Sequence, residues 1–302
     1  MASYRIGIDL GGTKTEVILL GEGSRELFRK RIPTVRDNYQ RTLQDIEGLV
    51  LAAENAAESG PLPVGLGIPG TVSRKTGLVK NANSTWLNGQ PLQVDLSAKL
   101  GRDVKVTNDA NCLAVSEAAD GAGSEAEFVF AAILGTGCGG GVCYRGRPLA
   151  GPNGVGGEWG HNPLPWTHDA QLNARPCYCG RSGCQETFLS GTGISLSYQL
   201  ATGRSLKAAE IVDLWRQKDA TATEVMQAYM DQLARSLAAV INIMDPDVIV
   251  LGGGASNISE IYEQVPKILP GYVFGGECDT PIRQAVHGDS SGVRGAAWLN
   301  PF

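Results

Sequence analysis

The sequence lacks a long segment rich in lysine and arginine. Its 302 residues include 26 basic and 31 acidic side chains, which gives a formal net charge of -5. Proteins that bind nucleic acids need a concentrated positive surface that neutralises phosphate groups. DNA and RNA are therefore not expected as partners.

Long apolar segments are also missing. No stretch approaches the roughly 20 uninterrupted apolar residues that cross a bilayer. The first residues, 1–12, have no basic flank followed by a long apolar run, so they do not have the pattern of a secretion signal. We therefore expect a cytoplasmic protein that has no membrane partner.

Two common nucleotide-binding patterns are absent as well. The sequence has no GxxxxGK[ST] loop, and no GxGxxG that opens a helix directly after a strand. Glycine is nevertheless abundant, at 40 residues, and it clusters directly after apolar, strand-like segments. Any phosphate site must therefore be of another type, built from tight glycine turns.

The length predicts two domains, because one hydrophobic core usually organises roughly 100–200 residues. We expect an N-terminal α/β domain at 1–118 and a C-terminal α/β domain at 119–286. The final segment, 287–302, is expected to pack back on the first domain. A cleft between two domains suits a small substrate.

A strand, a glycine turn and a second strand occur twice. Apolar and β-branched residues predict strands on both sides of the turn Asp9–Lys14, and again around the turn Gly135–Gly141. The four predicted strands are Tyr4–Ile8, Thr15–Leu20, Phe128–Leu134 and Val142–Tyr144. Glycine lets the backbone approach a phosphate and point consecutive N–H groups at its oxygens. Each turn taken alone is equally compatible with an ordinary β-hairpin.

Further helices and strands are predicted from the spacing of apolar residues. The predicted helices are Leu43–Ala53, Leu113–Ala119 and Met226–Met244, the last of them ended by Asp245 and Pro246. The predicted buried strands are Val64–Ile68, Val104–Thr107 and Val248–Leu251. A third glycine run, Gly252–Gly254, directly follows the last of these strands.

Asp109 is the candidate catalytic residue. It follows the predicted strand Val104–Thr107, so its carboxylate is expected at the mouth of the strand. A carboxylate in that position can orient a substrate hydroxyl and accept its proton during phosphoryl transfer. The alternative is a structural role as the cap of the following helix.

Three cysteines crowd into a short segment at Cys177, Cys179 and Cys184. In an intracellular chain this spacing indicates a metal site more than disulfides. With His161 these thiols make four ligands, which suits a closed, tetrahedral, structural zinc site inserted in the C-terminal domain. His168 is an alternative fourth ligand, and reduced thiols in a simple turn are the alternative without metal. The remaining cysteines are interpreted as ordinary buried thiols: Cys112, Cys138, Cys143 and Cys278.

Taken in order, these motifs resemble those of the ROK family of repressors and sugar kinases, within the sugar kinase/Hsp70/actin superfamily. The motifs are Asp9-Leu-Gly-Gly-Thr-Lys14, Asn108-Asp-Ala-Asn111, Glu158-Trp-Gly-His161 and the cysteine cluster. The resemblance covers essentially the whole chain. It implies an actin-like ATPase fold, in which two α/β domains with a duplicated βββαβα core clamp ATP between facing hairpins across an interdomain cleft.

The resemblance also implies a set of site residues. Sugar contacts are implied for Asn83, Asn108, Asp109, Glu158, His161 and Glu186, whose amides and carboxylates suit hydroxyl groups. ATP contacts are implied for Asp9, Gly11, Gly12, Thr13, Lys14, Gly135, Thr136, Gly137, Gly252, Gly253 and Gly254. Asp9 would also help to hold Mg²⁺ through water. His161 would bind zinc through one ring nitrogen and a sugar hydroxyl through the other. For Asn83 a turn role is the alternative, and for Lys14 a solvated side chain.

The activity implied by the resemblance is ATP-dependent phosphorylation of a free hexose. Residues 81–89 and 158–165 resemble the bacterial fructokinase (manno-fructokinase) branch, with the N-acetylglucosamine kinases close behind. Fructose, giving fructose 6-phosphate, is the expected substrate and mannose the second, with N-acetylglucosamine or glucose as alternatives. A homodimer is implied by the resemblance alone, and polyphosphate is an alternative donor.

A regulator is the alternative from a different class. Repressors of the family carry an N-terminal DNA-reading domain, whereas here the first glycine turn begins at Asp9 and leaves no room for a helix-turn-helix. The motifs therefore favour a kinase over a repressor, and a sugar sensor without catalysis is the remaining non-enzymatic alternative.

Overall fold

The computed structural model describes residues 4–300, which divide into two units. The first unit contains the described residues up to Glu127, the segment Gly141–Gly157 and the residues from Val286 onward. The second contains Phe128–Gly140 and Glu158–Ala285. Within the described part of the chain, no helix combines the length and the apolar character needed to cross a membrane.

The secondary structure alternates between strands and helices. The strands are β1 (Arg5–Leu10), β2 (Lys14–Leu20), β3 (Glu26–Pro33), β4 (Val64–Ile68), β5 (Thr71–Val72), β6 (Val79–Lys80), β7 (Val104–Asn108), β8 (Phe128–Leu134), β9 (Cys138–Tyr144), β10 (Arg147–Pro148), β11 (Val248–Gly252) and β12 (Ile282–Gln284). The α-helices are α1 (Tyr39–Ala57), α2 (Leu92–Leu100), α3 (Asp109–Asp120), α4 (Asp169–Asn173), α5 (Glu186–Leu189), α6 (Gly191–Thr202), α7 (Ala208–Arg216), α8 (Ala220–Met244), α9 (Glu260–Ile268) and α10 (Ser291–Trp298). Short 3-10 turns lie at Glu22–Ser24, Thr85–Leu87, Trp159–His161, Gly254–Asn257, Leu269–Gly271 and Gly288–Ser290.

The sheet of the first unit has the strand order β3-β2-β1-β4-β7. The strands β1, β2 and β3 pair in antiparallel fashion, whereas β1, β4 and β7 are parallel. All five residues of β4 are buried, as is usual for a central parallel strand that is covered on both faces. Because β1, β4 and β7 run in the same direction, their carboxyl ends share one edge of the sheet.

Helices cover both faces of this first sheet. On β2, Val17 and Leu19 belong to the same core cluster as residues of α1 and α2, whereas Ile18 pairs with Val293 of α10 in a separate cluster. This alternation follows from the two-residue repeat of a strand. On the α10 side the strands carry Gly7 and Gly65, where any side chain would collide with the backbone of α10. Glycine is therefore needed for the close packing of α10.

The second sheet has the strand order β10-β9-β8-β11-β12, and β8, β11 and β12 are parallel to one another. The 25-residue helix α8 buries a long apolar face that includes Met226, Leu233 and Leu237. It ends at Asp245, which has a left-handed backbone and precedes Pro246. The predicted helix Met226–Met244 and its end are thus confirmed, and the helix begins six residues earlier than predicted.

Each predicted strand and helix corresponds to an observed element, but several observed elements extend beyond the predicted bounds, as α1 does by four residues at each end. The strands Val64–Ile68 and Phe128–Leu134 have the predicted bounds. The prediction that residues 135–141 form a turn was wrong, because β9 begins at Cys138 and contains the last glycines of that run. A side chain at Gly141 would collide with the carbonyl of Ala110, so glycine in this strand serves close packing. The helix predicted from Leu113 begins at Asp109 instead.

Candidate active site and metal centre

Two carboxylates occupy the edge where β1, β4 and β7 end. Asp9 is on β1, and Asp109 directly follows β7. The pKa of Asp9 is raised to about 6, first because the side chain is buried and then because the Asp109 and Glu16 carboxylates repel its negative charge. Lys14 offsets part of this repulsion. A cation at this edge would relieve the repulsion between the two aspartates.

At the start of α3, Asn108 and Asp109 make different hydrogen bonds. The Asn108 Oδ1 accepts a hydrogen bond from the N–H of Asn111 at 2.8 Å, so Asn108 is the helix cap. Asp109 is the first residue of the helix, and its exposed side chain accepts from the N–H of Ala110 at 2.8 Å. The capping role considered for Asp109 thus belongs to its neighbour. The amide nitrogen of Asn108 is the part of that side chain that can donate to a ligand.

The loop that carries Asn83 is fixed by its neighbours. Asn88 accepts from the N–H of Ala82 and donates to its carbonyl oxygen, both at 2.9 Å. Gly70 has a φ of 85°, and any side chain there would meet Ala82. Asn83 itself is exposed. The bracing role of Asn88 was not predicted, although the pair Asn88-Gly89 is a turn signal in the sequence.

The first glycine turn is held through its carbonyl groups. The N–H of Gly11 donates to the carbonyl of Lys14 at 2.9 Å and closes the turn. The Thr34 hydroxyl donates to the carbonyl of Gly11 at 2.9 Å, and the Thr34 N–H donates to the carbonyl of Thr13 at 3.0 Å. The Arg36 Nε donates to the carbonyl of Gly12 at 3.1 Å. The chain that follows β3 therefore supports this turn.

The second glycine turn has a different set of supports. The N–H of Gly191 donates to the carbonyl of Gly135 at 2.7 Å, and the Thr192 hydroxyl donates to the carbonyl of Thr136 at 2.9 Å. Next to the turn, the Glu186 Oε2 accepts from the N–H of Cys138 at 3.0 Å. Neither Thr192 nor this backbone contact of Glu186 was predicted.

The third glycine run lies directly against the second turn. Gly253 has a φ of 82°, and a side-chain carbon there would lie 2.6 Å from the carbonyl carbon of Leu134 and 2.8 Å from the nitrogen of Gly135. The structure therefore brings together two of the segments predicted to contact ATP, Gly135–Gly137 and Gly252–Gly254.

The four predicted metal ligands form one cluster. The ligand atoms of His161, Cys177, Cys179 and Cys184 all lie within 4.8 Å of one another, and His168 is not part of the cluster. The Cys177 Sγ lies 3.6 Å from the His161 Nδ1, and the Cys179 Sγ lies 3.6 Å from the Cys184 Sγ. Tetrahedral zinc with Zn–S near 2.3 Å and Zn–N near 2.0–2.1 Å separates its ligands by roughly 3.6–3.8 Å. The cluster is therefore consistent with a zinc site.

The protonation of the buried thiols depends on whether a cation is bound. Burial raises the pKa of Cys184 to about 12, and burial raises the pKa of Cys177 as well. Thiols with raised pKa values stay protonated at neutral pH unless a cation stabilises the thiolates. A bound Zn²⁺ would supply that charge.

His161 has a second partner that was not predicted. Its Nε2 lies 3.0 Å from the hydroxyl of Tyr178, whose ring is 84% exposed. Zinc on Nδ1 would leave the ring proton on Nε2, so the Tyr178 oxygen would accept it. Glu158 lies just before the 3-10 turn that carries His161, and the Glu186 Oε1 lies 4.0 Å from the Cys177 Sγ. His161 and Glu186 thus lie at the metal centre, with Glu158 next to His161 in the chain.

Known proteins resemble this chain over its full length. The model of the ROK family matches residues 5–301. An N-acetyl-D-glucosamine kinase of Vibrio cholerae is 42% identical over 300 residues, which cover 97% of this chain and 98% of the relative. One of Haemophilus influenzae is 41% identical with the same coverage.

Solved structures show the same fold. A ROK hexokinase from Thermus thermophilus superposes with a TM-score of 0.86 at 31% identity, over 98% of this chain and 97% of that one. A ROK family glucokinase from Streptomyces griseus, solved with glucose and AMPPNP, gives a TM-score of 0.74 at 26% identity, over 98% of this chain and 99% of that one. The expected actin-like ATPase fold, with its two mixed sheets, is thereby confirmed. The chain belongs to the ROK family.

Proposed function

We propose that this protein uses ATP to phosphorylate a free hexose, and that N-acetylglucosamine is its preferred substrate. The proposal rests mainly on one observation. At the carboxyl ends of the parallel strands, the exposed Asp109 lies beside Asp9, Asn108 and the first glycine turn. This arrangement combines a candidate base, a candidate cation ligand and a candidate phosphate-binding turn. Full-length identity of about 41–42% to proteins named N-acetyl-D-glucosamine kinase supports the same activity.

Asp109 is proposed as the general base. The carboxylate accepts the proton of the primary hydroxyl of the sugar while that oxygen attacks the γ-phosphorus of ATP. The bond between the γ-phosphorus and the bridging oxygen then breaks, and ADP leaves with the electron pair. The cap of α3 is Asn108, so the start of the helix does not need the Asp109 carboxylate as its cap.

The two glycine turns are proposed to bind the phosphate groups of ATP. Their backbone N–H groups can donate to phosphate oxygens, and Thr13, Lys14 and Thr136 add side-chain donors. Gly252–Gly254 is proposed to admit the adenosine. Mg²⁺, when bound to the phosphates, would neutralise their charge, and Asp9 is proposed to hold it through water.

The sugar is proposed to be held by amide and carboxylate side chains: Asn83, Asn108, Glu158, His161 and Glu186. Each can donate to or accept from a hydroxyl group. In the structure the Tyr178 hydroxyl pairs with the His161 Nε2. A sugar hydroxyl that binds to this nitrogen must therefore share it with the phenol or displace it.

The choice of sugar is the part of the proposal that differs from the sequence analysis. Residues 81–89 and 158–165 favoured fructose first, with mannose second. The names of the curated relatives favour N-acetylglucosamine instead, and they agree with the alternative given there. Fructose, mannose and glucose are therefore the competing substrates in the test.

The test is ADP release coupled to a reporter, with Mg-ATP and each of the four sugars. We expect the highest kcat/KM with N-acetylglucosamine. Asp109→Asn should reduce kcat by about 100-fold or more, because the general base is lost. Asp103→Asn is the matched control, since Asp103 is an exposed residue paired with Lys105 and should not affect turnover.

Three outcomes would contradict the proposal. A higher kcat/KM for another hexose would change the substrate and keep the mechanism. Near-normal turnover by folded Asp109→Asn would exclude the assigned base. Sugar binding without ADP formation from any of the four sugars would favour a sensor.

A further inference from the structure

The zinc ligands lie two to eight residues along the chain from the groups that contact the second glycine turn and the strand after it. His161 ends the 3-10 turn that begins at Trp159, and Cys184 lies two residues before Glu186. We use the name zinc-linked supports for the two segments that carry these residues, 159–161 and 184–192.

The zinc-linked supports contact the second turn along its length. At its beginning, Gly191 and Thr192 donate to the carbonyls of Gly135 and Thr136. At Gly137, a side-chain carbon would lie 2.7 Å from the Glu186 Oε2. Further on, Glu186 accepts from the N–H of Cys138 at 3.0 Å.

The strand after the turn is held by the other support. The Trp159 indole donates to the carbonyl of Gly139 at 2.7 Å. A side chain at Gly160 would collide with the carbonyl of Cys138. Each residue from Gly135 to Gly139 therefore adjoins a residue of the zinc-linked supports.

These contacts fix the direction in which the turn presents its N–H groups. A trans peptide is planar, so its carbonyl and its N–H point in opposite directions. The carbonyl of Gly135 points toward Gly191, and that of Thr136 points toward Thr192. The N–H groups of Thr136 and Gly137 must consequently point away from α6, which is the orientation that an anion-binding turn requires.

The connection from Cys184 to α6 is short and internally bonded. The Thr187 hydroxyl donates to the carbonyl of Cys184 at 2.7 Å, and the Ser190 hydroxyl donates to the carbonyl of Glu186 at 2.7 Å. Ser190 then caps α6 by accepting from the N–H of Gly193 at 3.0 Å. A displacement of Cys184 should therefore be transmitted to the start of α6.

We infer that the metal centre determines the geometry of the second phosphate turn, and that Thr192 is the positioning residue through which it acts on Thr136. The inference rests on the proposed function, since it assigns the turn to a nucleotide phosphate. The metal centre then supports the nucleotide as well as the sugar.

The experiment measures Mg-ADP affinity by calorimetry on the zinc-loaded full chain. Thr192→Val keeps the shape of the side chain and removes its hydroxyl, whereas Thr192→Ser keeps the hydroxyl. Thr202→Val is the matched control, because the Thr202 hydroxyl lies at the other end of α6, where it bonds to the carbonyl of Tyr198 and the N–H of Arg204. Bound zinc is measured in every sample.

Thr192→Val removes the hydrogen bond to the Thr136 carbonyl and also the 2.8 Å contact with the Ser190 hydroxyl. We expect the loss of the bond to Thr136 to weaken Mg-ADP binding about two- to tenfold, with zinc content and sugar affinity unchanged. Thr192→Ser and Thr202→Val should bind like the wild type. Equal affinity of Thr192→Val and wild type would overturn the role of Thr192. Failure of the wild type to bind Mg-ADP would refute the proposed function itself.

A second measurement tests the link to the metal. Zinc is removed with a chelator that is then dialysed away, and amide hydrogen exchange is followed by mass spectrometry. We expect faster exchange at 135–139 and weaker Mg-ADP binding, both restored when zinc is added back. Unchanged exchange and affinity in zinc-free protein would overturn the link.

Discussion

The two glycine turns share a design but differ in what supports them. In both, the carbonyl oxygens are held from one side by hydroxyl and N–H donors, so the backbone N–H groups point to the other side. The first turn is held by Thr34 and Arg36, which follow a strand of its own sheet. The second is held by Gly191 and Thr192 at the start of α6, seven and eight residues after the zinc ligand Cys184.

The two turns also differ in charge. The first begins with Asp9, whose pKa is raised by burial and by neighbouring carboxylates. The second begins with Gly135 and has Glu186 beside it, where one carboxylate oxygen is used by the N–H of Cys138. We infer that the first turn lies at the Mg²⁺ site, whereas the conformation of the second turn depends on the zinc site.

The largest expected effect is the loss of a zinc ligand. Cys184→Ser should reduce bound zinc from stoichiometric toward zero and lower the free energy of unfolding by about 2–5 kcal/mol, since a structural metal stabilises only the folded state. Hydrogen exchange should accelerate at 135–139 and stay unchanged at 11–14. Metal analysis, thermal melts and exchange mass spectrometry measure these three quantities.

Cys278→Ala provides the control for that variant. Cys278 belongs to the same unit, is half-buried and lies outside the cluster. It should keep full zinc and normal exchange. If Cys184→Ser accelerated exchange equally in both turns, the two turns would not differ in their dependence on the metal, and the comparison would fail.

The next effect concerns the charge at the first turn. Asp9 has a pKa of about 6 in the folded protein, above its ordinary value near 3.8. The folded state therefore binds more protons than the unfolded state between these values, so stability falls as pH rises through 6. Asp9→Asn should raise the free energy of unfolding by about 3 kcal/mol at pH 8 and by little at pH 4.

Urea denaturation of ligand-free protein at several pH values measures this difference. Asp103→Asn, a change at an exposed carboxylate in the same unit, should show no such dependence on pH. The same Asp9→Asn variant should lose activity with Mg-ATP under the proposed function. A gain in stability that is equal at pH 4 and pH 8 would contradict the assigned cause.

The sequence predicted those parts of the site whose chemistry lies in a short segment. The zinc cluster was identifiable because three of its ligands fall within eight residues, 177–184, and the glycine turns because each follows an apolar strand. The supports were not identifiable in this way. Thr34 is 23 residues from Gly11, and Thr192 is 56 residues from Thr136, so only the fold brings each pair together.

Polar or exposed elements were missed for a related reason. The strand β3 was not predicted, because half of its residues are charged, most are exposed, and they give no apolar alternation. The start of α3 was placed four residues late because its first turn, Asp109-Ala-Asn-Cys112, is not dominated by apolar residues. Apolar periodicity reports burial, so it identifies the core and leaves polar ends of elements undefined.

The smallest effect is expected from a substitution of Thr34, which supports the first turn as Thr192 supports the second. Thr34→Val removes the donor to the carbonyl of Gly11 and leaves the backbone N–H of Thr34 bonded to Thr13. It also removes the partner of the buried Thr15 hydroxyl, 2.8 Å away, so we expect a loss of about 1 kcal/mol in stability. Mg-ADP affinity should fall about two- to tenfold, and Thr34→Ser should restore it.

The dependence on zinc separates the two turns. In Thr34→Val the loss of Mg-ADP affinity should be the same factor in zinc-loaded and zinc-depleted protein, because no zinc ligand adjoins its contacts. In Thr192→Val the loss should be larger with zinc, since without the metal the support is already displaced. Calorimetry on the two variants, with and without zinc, gives a thermodynamic cycle analogous to a double-mutant cycle, in which zinc removal is one of the two changes. If the loss of Mg-ADP affinity depended equally on zinc in both variants, the two turns would be coupled to the metal to the same extent. The inference that zinc supports the second turn in particular would then be wrong.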